Sequence, residues 1–193
     1  MLLAGGKSRR MGTDKRVLIL EGETLLTRAL RVLEDLFPEV LVVLAERDHQ
    51  ISSESCKVVT DIIPHCATAG GLYTGLTYAQ NEQVFVVACD MPFLNQKLIQ
   101  FMAEEATDFD MTVGRLLQGI QPLHGFYRKT CLPFLETMIR NQDLKIQHLI
   151  ENPGLAANIL EESVLKENDR HLLSFMNVNT PSDMEMARKL VQA

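Results

Sequence analysis

Val84–Cys89, an unbroken Val-Phe-Val-Val-Ala-Cys run between Gln83 and Asp90, limits how this chain can fold more than any other segment. Six apolar residues rich in β-branched side chains are too few for a helix and leave neither face of a strand for water. The run therefore predicts a central strand covered on both sides, as in a parallel sheet. Val40–Ala45 has the same character, and Lys57–Thr60 reads as a shorter strand ending on Asp61. Helical spacing separates these runs. Thr24 is placed to cap a helix with apolar residues at 25, 26, 29, 30, 33, 36 and 37, closed by Pro38. Gly70-Gly71 is expected to open a helix to about Gln80, and Asn95 to cap one with Leu98, Ile99, Met102 and Ala106 on one face.

The second half continues the pattern. Strands are expected near 110–117, 122–127 and 156–161, helices near 130–140 and 144–151, and a last short strand at Phe175–Asn179. Thr180-Pro181-Ser182-Asp183 then combines an N-cap, a first-turn proline and a capping-box carboxylate. Strands alternating with helices define an α/β fold with a mostly parallel, doubly wound sheet. No repeat or linker divides the 193 residues, so one domain is expected over 1–193.

Such sheets bind ligands at the carboxyl ends of their strands. There stand Gly5-Gly6, Asp61, Asp90 and Asn179. The first is part of Leu3-Ala4-Gly5-Gly6-Lys7-Ser8-Arg9-Arg10-Met11-Gly12-Thr13-Asp14-Lys15, which follows apolar residues with adjacent glycines, a hydroxyl and basic side chains. Paired glycines let backbone N–H groups converge on an anion with no Cβ in the way. Residues 1–16 carry net +4 in a chain of net −6, leaving −10 on the rest. A local positive spot on an acidic protein suits a small anionic ligand and argues against nucleic acid, which needs a broad basic face. The loop is neither a Walker loop nor the three-glycine dinucleotide fingerprint.

The four scattered cysteines, Cys56, Cys66, Cys89 and Cys131, form no C-x-x-C pair, and no apolar run approaches the ~20 residues of a membrane span. The Gly-Gly pair arrives after four residues, leaving no room for a signal peptide. A reduced, cytoplasmic protein without membrane contact is expected.

Asp90 directly follows the central strand and precedes Met91-Pro92. With phosphates nearby, such a carboxylate holds Mg²⁺, which takes one or two carboxylates plus phosphate oxygens; otherwise it caps the next turn. Asp61 is open to three roles: orienting a base or ribose, assisting the metal, or closing a loop. Lys15 and Arg10 suit charge stabilisation on phosphate oxygens, while Lys7 and Arg9 read as solvent-facing. Asn177 and Asn179 alternate, which puts both on one face of the expected strand. Gln121-Pro122-Leu123-His124-Gly125 suits a pocket wall, with His124 read first as a structural histidine. No HExxH motif, Cys–His pairing or nucleophile elbow occurs.

These residues, in order, resemble the molybdenum cofactor guanylyltransferases. The run Leu-Ala-Gly-Gly-x-Ser-x-Arg-Met-Gly-x-Asp-Lys at 3–15 is similar to the family's signature loop, with Arg10 as its arginine. Asp61, Gly70-Gly71-Leu72-Tyr73-Thr74-Gly75-Leu76, Cys89-Asp90-Met91-Pro92, Gln121-Pro122-Leu123 and Asn177-Val178-Asn179-Thr180-Pro181 resemble the motifs that follow it over nearly the whole chain. The resemblance implies a three-layer, Rossmann-like sheet of the nucleotide-diphospho-sugar transferase type. It also implies transfer of GMP from GTP to molybdopterin, with or without molybdenum, releasing pyrophosphate. By the same resemblance, Leu3, Ala4, Gly5, Gly6, Lys15, Asp61 and Asp90 bind nucleotide, and Lys15, Arg10 and Asp90 are catalytic. Asp90 holds Mg²⁺, and Gln121, Pro122, Asn177 and Asn179 face the pterin. The nucleotide half spans about 1–105 and the pterin half about 106–193. Implied partners are GTP and molybdopterin as substrates, with transient contacts to cofactor-biosynthesis proteins and molybdoenzymes.

Three departures from the family pattern stand out. Ala67-Thr68-Ala69 replaces Gly-Pro-Leu, Leu44-Ala45 ends a strand where some members carry Asn, and Met1-Leu2-Leu3 leaves a short first strand. Molybdopterin cytidylyltransferases read Ala-Ala-Gly where this loop has Ala-Gly-Gly. Sugar-phosphate nucleotidyltransferases place Pro where Asp14 precedes the loop lysine. A non-catalytic nucleotide-binding module is the reading from another class: the altered 67–69 loop and the short first strand favour it, and Lys15 with Asp90 opposes it.

Overall fold

A computed structural model describes residues 1–5, 15–46 and 56–192. Gly6, Arg10 and most of the basic turn lie outside the described residues, as does most of the expected loop at 46–56. The chain opens with β1 (Leu2–Leu3), and after a one-turn 3₁₀ helix at Lys15–Val17 forms a small antiparallel ribbon, β2 (Ile19–Leu20) with β3 (Glu23–Thr24). Helix α1 (Leu25–Leu36) starts at the expected cap, where the Thr24 side chain accepts from Thr27 N. Then come β4 (Leu41–Leu44), β5 (Lys57–Thr60), α2 (Ala67–Tyr78) and β6 (Gln83–Ala88). Helix α3 (Gln96–Glu105) is capped by Asn95, whose side chain accepts from Leu98 N.

Strands β7 (Met111–Leu116) and β8 (Gly119–Arg128) form a hairpin, followed by α4 (Leu132–Arg140), α5 (Ile146–Ile150), β9 (Ala157–Glu161) and α6 (Glu162–Lys166). Helix α7 (Pro181–Val191) begins with the full capping box between Thr180 and Asp183. Among the described residues no helix is long and apolar enough to cross a membrane.

Seven strands make one sheet in the order β5-β4-β1-β6-β8-β7-β9. Every pairing is parallel except the two made by β8, so the sheet is mostly parallel with one reversed strand. Alternate residues feed two cores. Leu3, Leu41, Val43 and Val86 face α2, α4 and α5, while Leu2, Val42, Leu44, Phe85 and Val87 face α1 and α3. This is the expected three-layer arrangement. Strand β1 is only two residues long, yet it pairs on both edges and buries both leucines. Complete burial of each is worth roughly 1.5–3 kcal/mol, so packing holds the strand as much as its ladder does.

Two expectations need correction. Helix α2 begins at Ala67 and not at Gly70-Gly71, with Ala67 itself at φ +48°. Phe175–Asn179 is not a strand: Leu173–Phe175 is a 3₁₀ turn, and the residues after it run extended without a neighbouring strand. Phe-Met-Asn-Val-Asn has strand-like composition, but Val178 is committed elsewhere: its side chain packs with Leu20, Leu25, Met184 and Ala187 and its N–H goes to Asp90 O, away from the open sheet edges at β5 and β9.

Candidate active site

Strands β5, β4, β1 and β6 run parallel side by side, so their carboxyl ends share one edge of the sheet. Asp61 follows β5, Ala45 follows β4, Ala4-Gly5 follow β1, and Cys89-Asp90 follow β6. Asp61 and Asp90 therefore flank a floor three strand spacings wide, roughly 14 Å. The floor is low because of its residue types. A Cβ on Gly5 would stand 3.0 Å from Ala45 N and 3.2 Å from Ala45 Cβ, so a side chain there would press on the end of β4 and glycine keeps the exit from β1 uncrowded. Leu3 and Ala4 bury their side chains in opposite cores, and Ala4 N is committed to Val43 O at 2.9 Å. Whatever these two residues offer a ligand comes from their remaining backbone and from shape.

At one end, Asp61 N donates to Leu44 O at 2.8 Å, and Ile62 N donates to the buried Thr74 hydroxyl at 3.0 Å. Strand end and helix α2 are tied together there. Gly70 and Gly71 leave the space that the carboxylate faces. A Cβ on Gly70 would meet Cys66 Cβ at 2.9 Å and lie 3.7 Å from Asp61 Oδ2, and one on Gly71 would lie 3.8 Å from Oδ1. Burial pushes the Asp61 carboxyl up to about 6. Its Oδ1 is buried and accepts no hydrogen bond. A buried acceptor without a donor is costly, and sites built for ligands are where such groups collect.

At the other end, Asp90 is half-buried and its carbonyl accepts from Val178 N at 2.8 Å. This bond brings residues 177–179 to the metal-candidate carboxylate across the sequence. Val178 is fully buried with Leu20, Leu25, Met184 and Ala187, and Asn177 and Asn179 on either side of it are half-buried. The strand that was expected to align the two asparagines on one face is absent. Asn177 Nδ2 donates to Phe175 O at 3.2 Å, and Asn179 N donates to Asp183 Oδ2 at 2.9 Å.

The β6–β8 ladder ends at Val87 opposite His124. Beyond it β8 is irregular: opposite β7 the register jumps from Gly125 to Gln121, so Pro122 and Leu123 lie in a bulge and no pairing places Gln121 or Pro122 against Cys89–Asp90. Pro122 O accepts from Tyr127 OH at 2.8 Å, and Gln121 Nε2 folds back on Gly119 O at 3.1 Å. His124 is wholly buried and belongs to the core. Lys15 opens the 3₁₀ turn that leads into the β2–β3 ribbon.

Among the described residues no group of three His, Cys, Asp or Glu side chains could hold a metal. Asp90 offers one carboxylate at a half-buried strand end. That donor set fits Mg²⁺, which keeps several waters and takes its remaining oxygens from substrate phosphates. Sequence reading did not find Thr74 or Val178. Thr74 acts through its hydroxyl on Ile62 N and Val178 through its amide on Asp90 O, and neither bond has a local signature.

Comparison with known proteins gives a consistent set of matches. Residues 1–157 match the MobA-like NTP transferase domain. A probable molybdenum cofactor guanylyltransferase of Natranaerobius thermophilus is 33% identical over 98% of this chain and 94% of its own. One from Pelotomaculum thermopropionicum is 33% identical over 100% of this chain and 92% of its own. In solved structures, the molybdopterin-guanine dinucleotide biosynthesis protein A of Archaeoglobus fulgidus superposes with a TM-score of 0.83 at 25% identity, covering 99% of this chain and 97% of that one. The 2-C-methyl-D-erythritol 4-phosphate cytidylyltransferase of Thermus thermophilus shares the fold, with a TM-score of 0.72 at 17% identity over 100% and 98% of the two chains.

Proposed function

The chain belongs to the MobA-like NTP transferase family, and from that premise we propose that it transfers GMP from GTP to the terminal phosphate of molybdopterin, releasing pyrophosphate. The observation that carries the reading is the glycine floor between Asp61 and Asp90, with the buried Asp61 Oδ1 lacking a donor at one end and Asn177 and Asn179 brought beside Asp90 at the other. The floor accommodates a nucleotide laid across the strand ends. Asp61 takes its base or ribose, and the backbone of Leu3, Ala4 and Gly5 takes the flat middle, with Gly6, outside the described residues, assigned to the nucleotide by the sequence alone. Gln121, Pro122, Asn177 and Asn179 face the pterin. On this reading, residues to about 105 serve the nucleotide and the later ones the second substrate.

The chemistry needs little from the protein beyond placement. The attacking group is a phosphate monoester with a second pKa of about 6, largely dianionic at neutral pH, so no strong general base is required. The difficulty is to bring two polyanions together and to stabilise charge on departing pyrophosphate. Asp90 would hold Mg²⁺, which when bound supplies positive charge to the phosphate oxygens. Lys15 and Arg10 supply fixed positive charge for the leaving group, and the buried Val178 amide holds Asp90 against the second substrate's segment. The test is pyrophosphate release with molybdopterin, Mg²⁺ and each nucleoside triphosphate in turn. Release with GTP is expected, and its absence with every nucleotide would leave only a binding module.

A further inference from the structure

The loop that leaves Asp90 is fastened from two sides by side chains distant in sequence. From α1, Arg28 Nε donates to Pro92 O at 3.0 Å, with its guanidinium 6.0 Å from the Phe93 ring centre. From the far end of the chain, Ser174 reaches the next carbonyl. Its hydroxyl donates to Phe93 O at 3.2 Å and accepts from Asn95 N at 2.7 Å. Ser174 is completely buried, and its own N–H donates to Asp169 Oδ2 at 2.9 Å. Asp169 is itself only 7% exposed. Asn95 Nδ2 closes the group by donating to Asn168 O at 3.2 Å.

The chain is bent to make this possible. Leu172 takes φ +53°, its N–H bonded to Asp169 O at 2.9 Å, and the 3₁₀ turn Leu173–Phe175 follows at once. Four residues after Ser174, Val178 N meets Asp90 O. Residues 168–178 are thus laced to 90–95 by polar bonds, beside the apolar anchors Phe175 and Val178. A buried carboxylate and hydroxyl are expensive to fold in, and the return on that cost is a fixed geometry.

We propose that Ser174, held by Asp169, is a positioning residue that sets the distance between Asp90 and the Asn177–Asn179 segment, and hence between the two reacting phosphates. The proposal rests on the guanylyl-transfer reading for its kinetic consequences. Ser174 touches neither substrate. Because Arg28 anchors the Pro92–Phe93 loop independently, removing the Ser174 hydroxyl releases the second-substrate segment more than the nucleotide side. Ser174→Ala is then expected to lower kcat by about 10- to 100-fold, the cost of ångström-scale misplacement. KM for molybdopterin should rise several-fold and KM for GTP should stay within about two-fold. Asp169→Ala should follow it, while Asp169→Asn, which keeps an acceptor for Ser174 N, should return toward wild-type kinetics.

A readout independent of turnover accompanies the kinetics: hydrogen exchange at the Val178 amide in the free protein. Protection there should fall at least about 10-fold in Ser174→Ala, while amides in the β4–β5 ladder keep theirs. Ser174→Cys fills the same space with a poor donor and replaces the alanine variant if that one does not fold. Unchanged Val178 protection, or equal rises in KM for both substrates with kcat untouched, overturns the proposal. A wild-type protein that turns over no nucleotide overturns the functional reading instead, and the exchange measurement still decides whether Ser174 fixes the segment.

Discussion

His124 sits wholly inside the sheet's α1–α3 face, edge-on to Phe85 with ring centres 5.1 Å apart and 4.5 Å from the Phe175 ring centre. Neither ring nitrogen has a hydrogen-bond partner. Burial pushes its pKa down from 6.5 to about 4, so the folded protein keeps this imidazole neutral where an unfolded chain protonates it. Between those values the unfolded state binds the extra proton, and stability falls as pH falls. The difference removes about 2 kcal/mol by pH 5 and about 3 kcal/mol by pH 4, relative to pH 8. With a urea m-value of about 2 kcal/mol/M, the pH 5 loss moves the midpoint by about 1 M. His124→Leu isolates it: two unsatisfied polar atoms give way to an apolar side chain of similar bulk, so stability at pH 8 should hold or rise. The raised Asp61 carboxyl and the buried Met1 amino group, lowered to about 5, titrate in both proteins and cancel in the comparison. Urea midpoints at pH 8, 7, 6 and 5 should show the variant gaining about 2 kcal/mol on wild type over that range. Parallel curves would refute the burial argument for this histidine.

Three further outcomes follow from named geometry. Ala67→Gly should stabilise the fold by about 0.5–1 kcal/mol in thermal or urea unfolding, because Ala67 holds the left-handed φ of +48° that glycine adopts without strain. Asp61 has the opposite linkage to His124. Its pKa is raised to about 6, so it costs stability above pH 6 and the cost fades as pH falls toward 3.8. Asp61→Asn should accordingly be the more stable protein at pH 8, with the gap closing below pH 6 in the same urea series. Asp90→Asn should abolish Mg²⁺-dependent turnover and leave the unfolding transition within a few degrees of wild type, since the Val178 bond uses the Asp90 carbonyl and not its carboxylate.

Much of this molecule is legible from local sequence because its signals are local. Thr24, Asn95 and Thr180 each cap the helix they precede, and the apolar runs at 40–45 and 84–89 become strands buried on both faces. Helix α2 is misplaced by three residues for the same reason. Cys66 provides no side-chain cap, so nothing in the sequence marks the true start. The short first strand is enough because β4 and β6 pair with both its edges, a fact about neighbours that its own residues do not state. The segment 175–179 shows the limit most clearly. Its alternation reads as a strand, but what holds it is Val178 N on Asp90 O and Ser174 on Phe93 and Asn95. Bonds spanning some eighty residues have no sequence-local trace. Asp61 and Asp90 were legible as strand-end carboxylates because they directly follow apolar runs that become parallel strands; the clamp at Ser174 and Asp169 was not, because serine and aspartate elsewhere carry no such rule.

The central claim is guanylyl transfer at the carboxyl edge of this sheet. Purified protein incubated with molybdopterin, Mg²⁺ and GTP, CTP or ATP in turn, followed by pyrophosphate release and isolation of the dinucleotide, tests it directly. Release with GTP far above the other two, with a guanine-containing product and none without Mg²⁺, is the predicted result. Preference for CTP, or no release with any nucleotide, would contradict it.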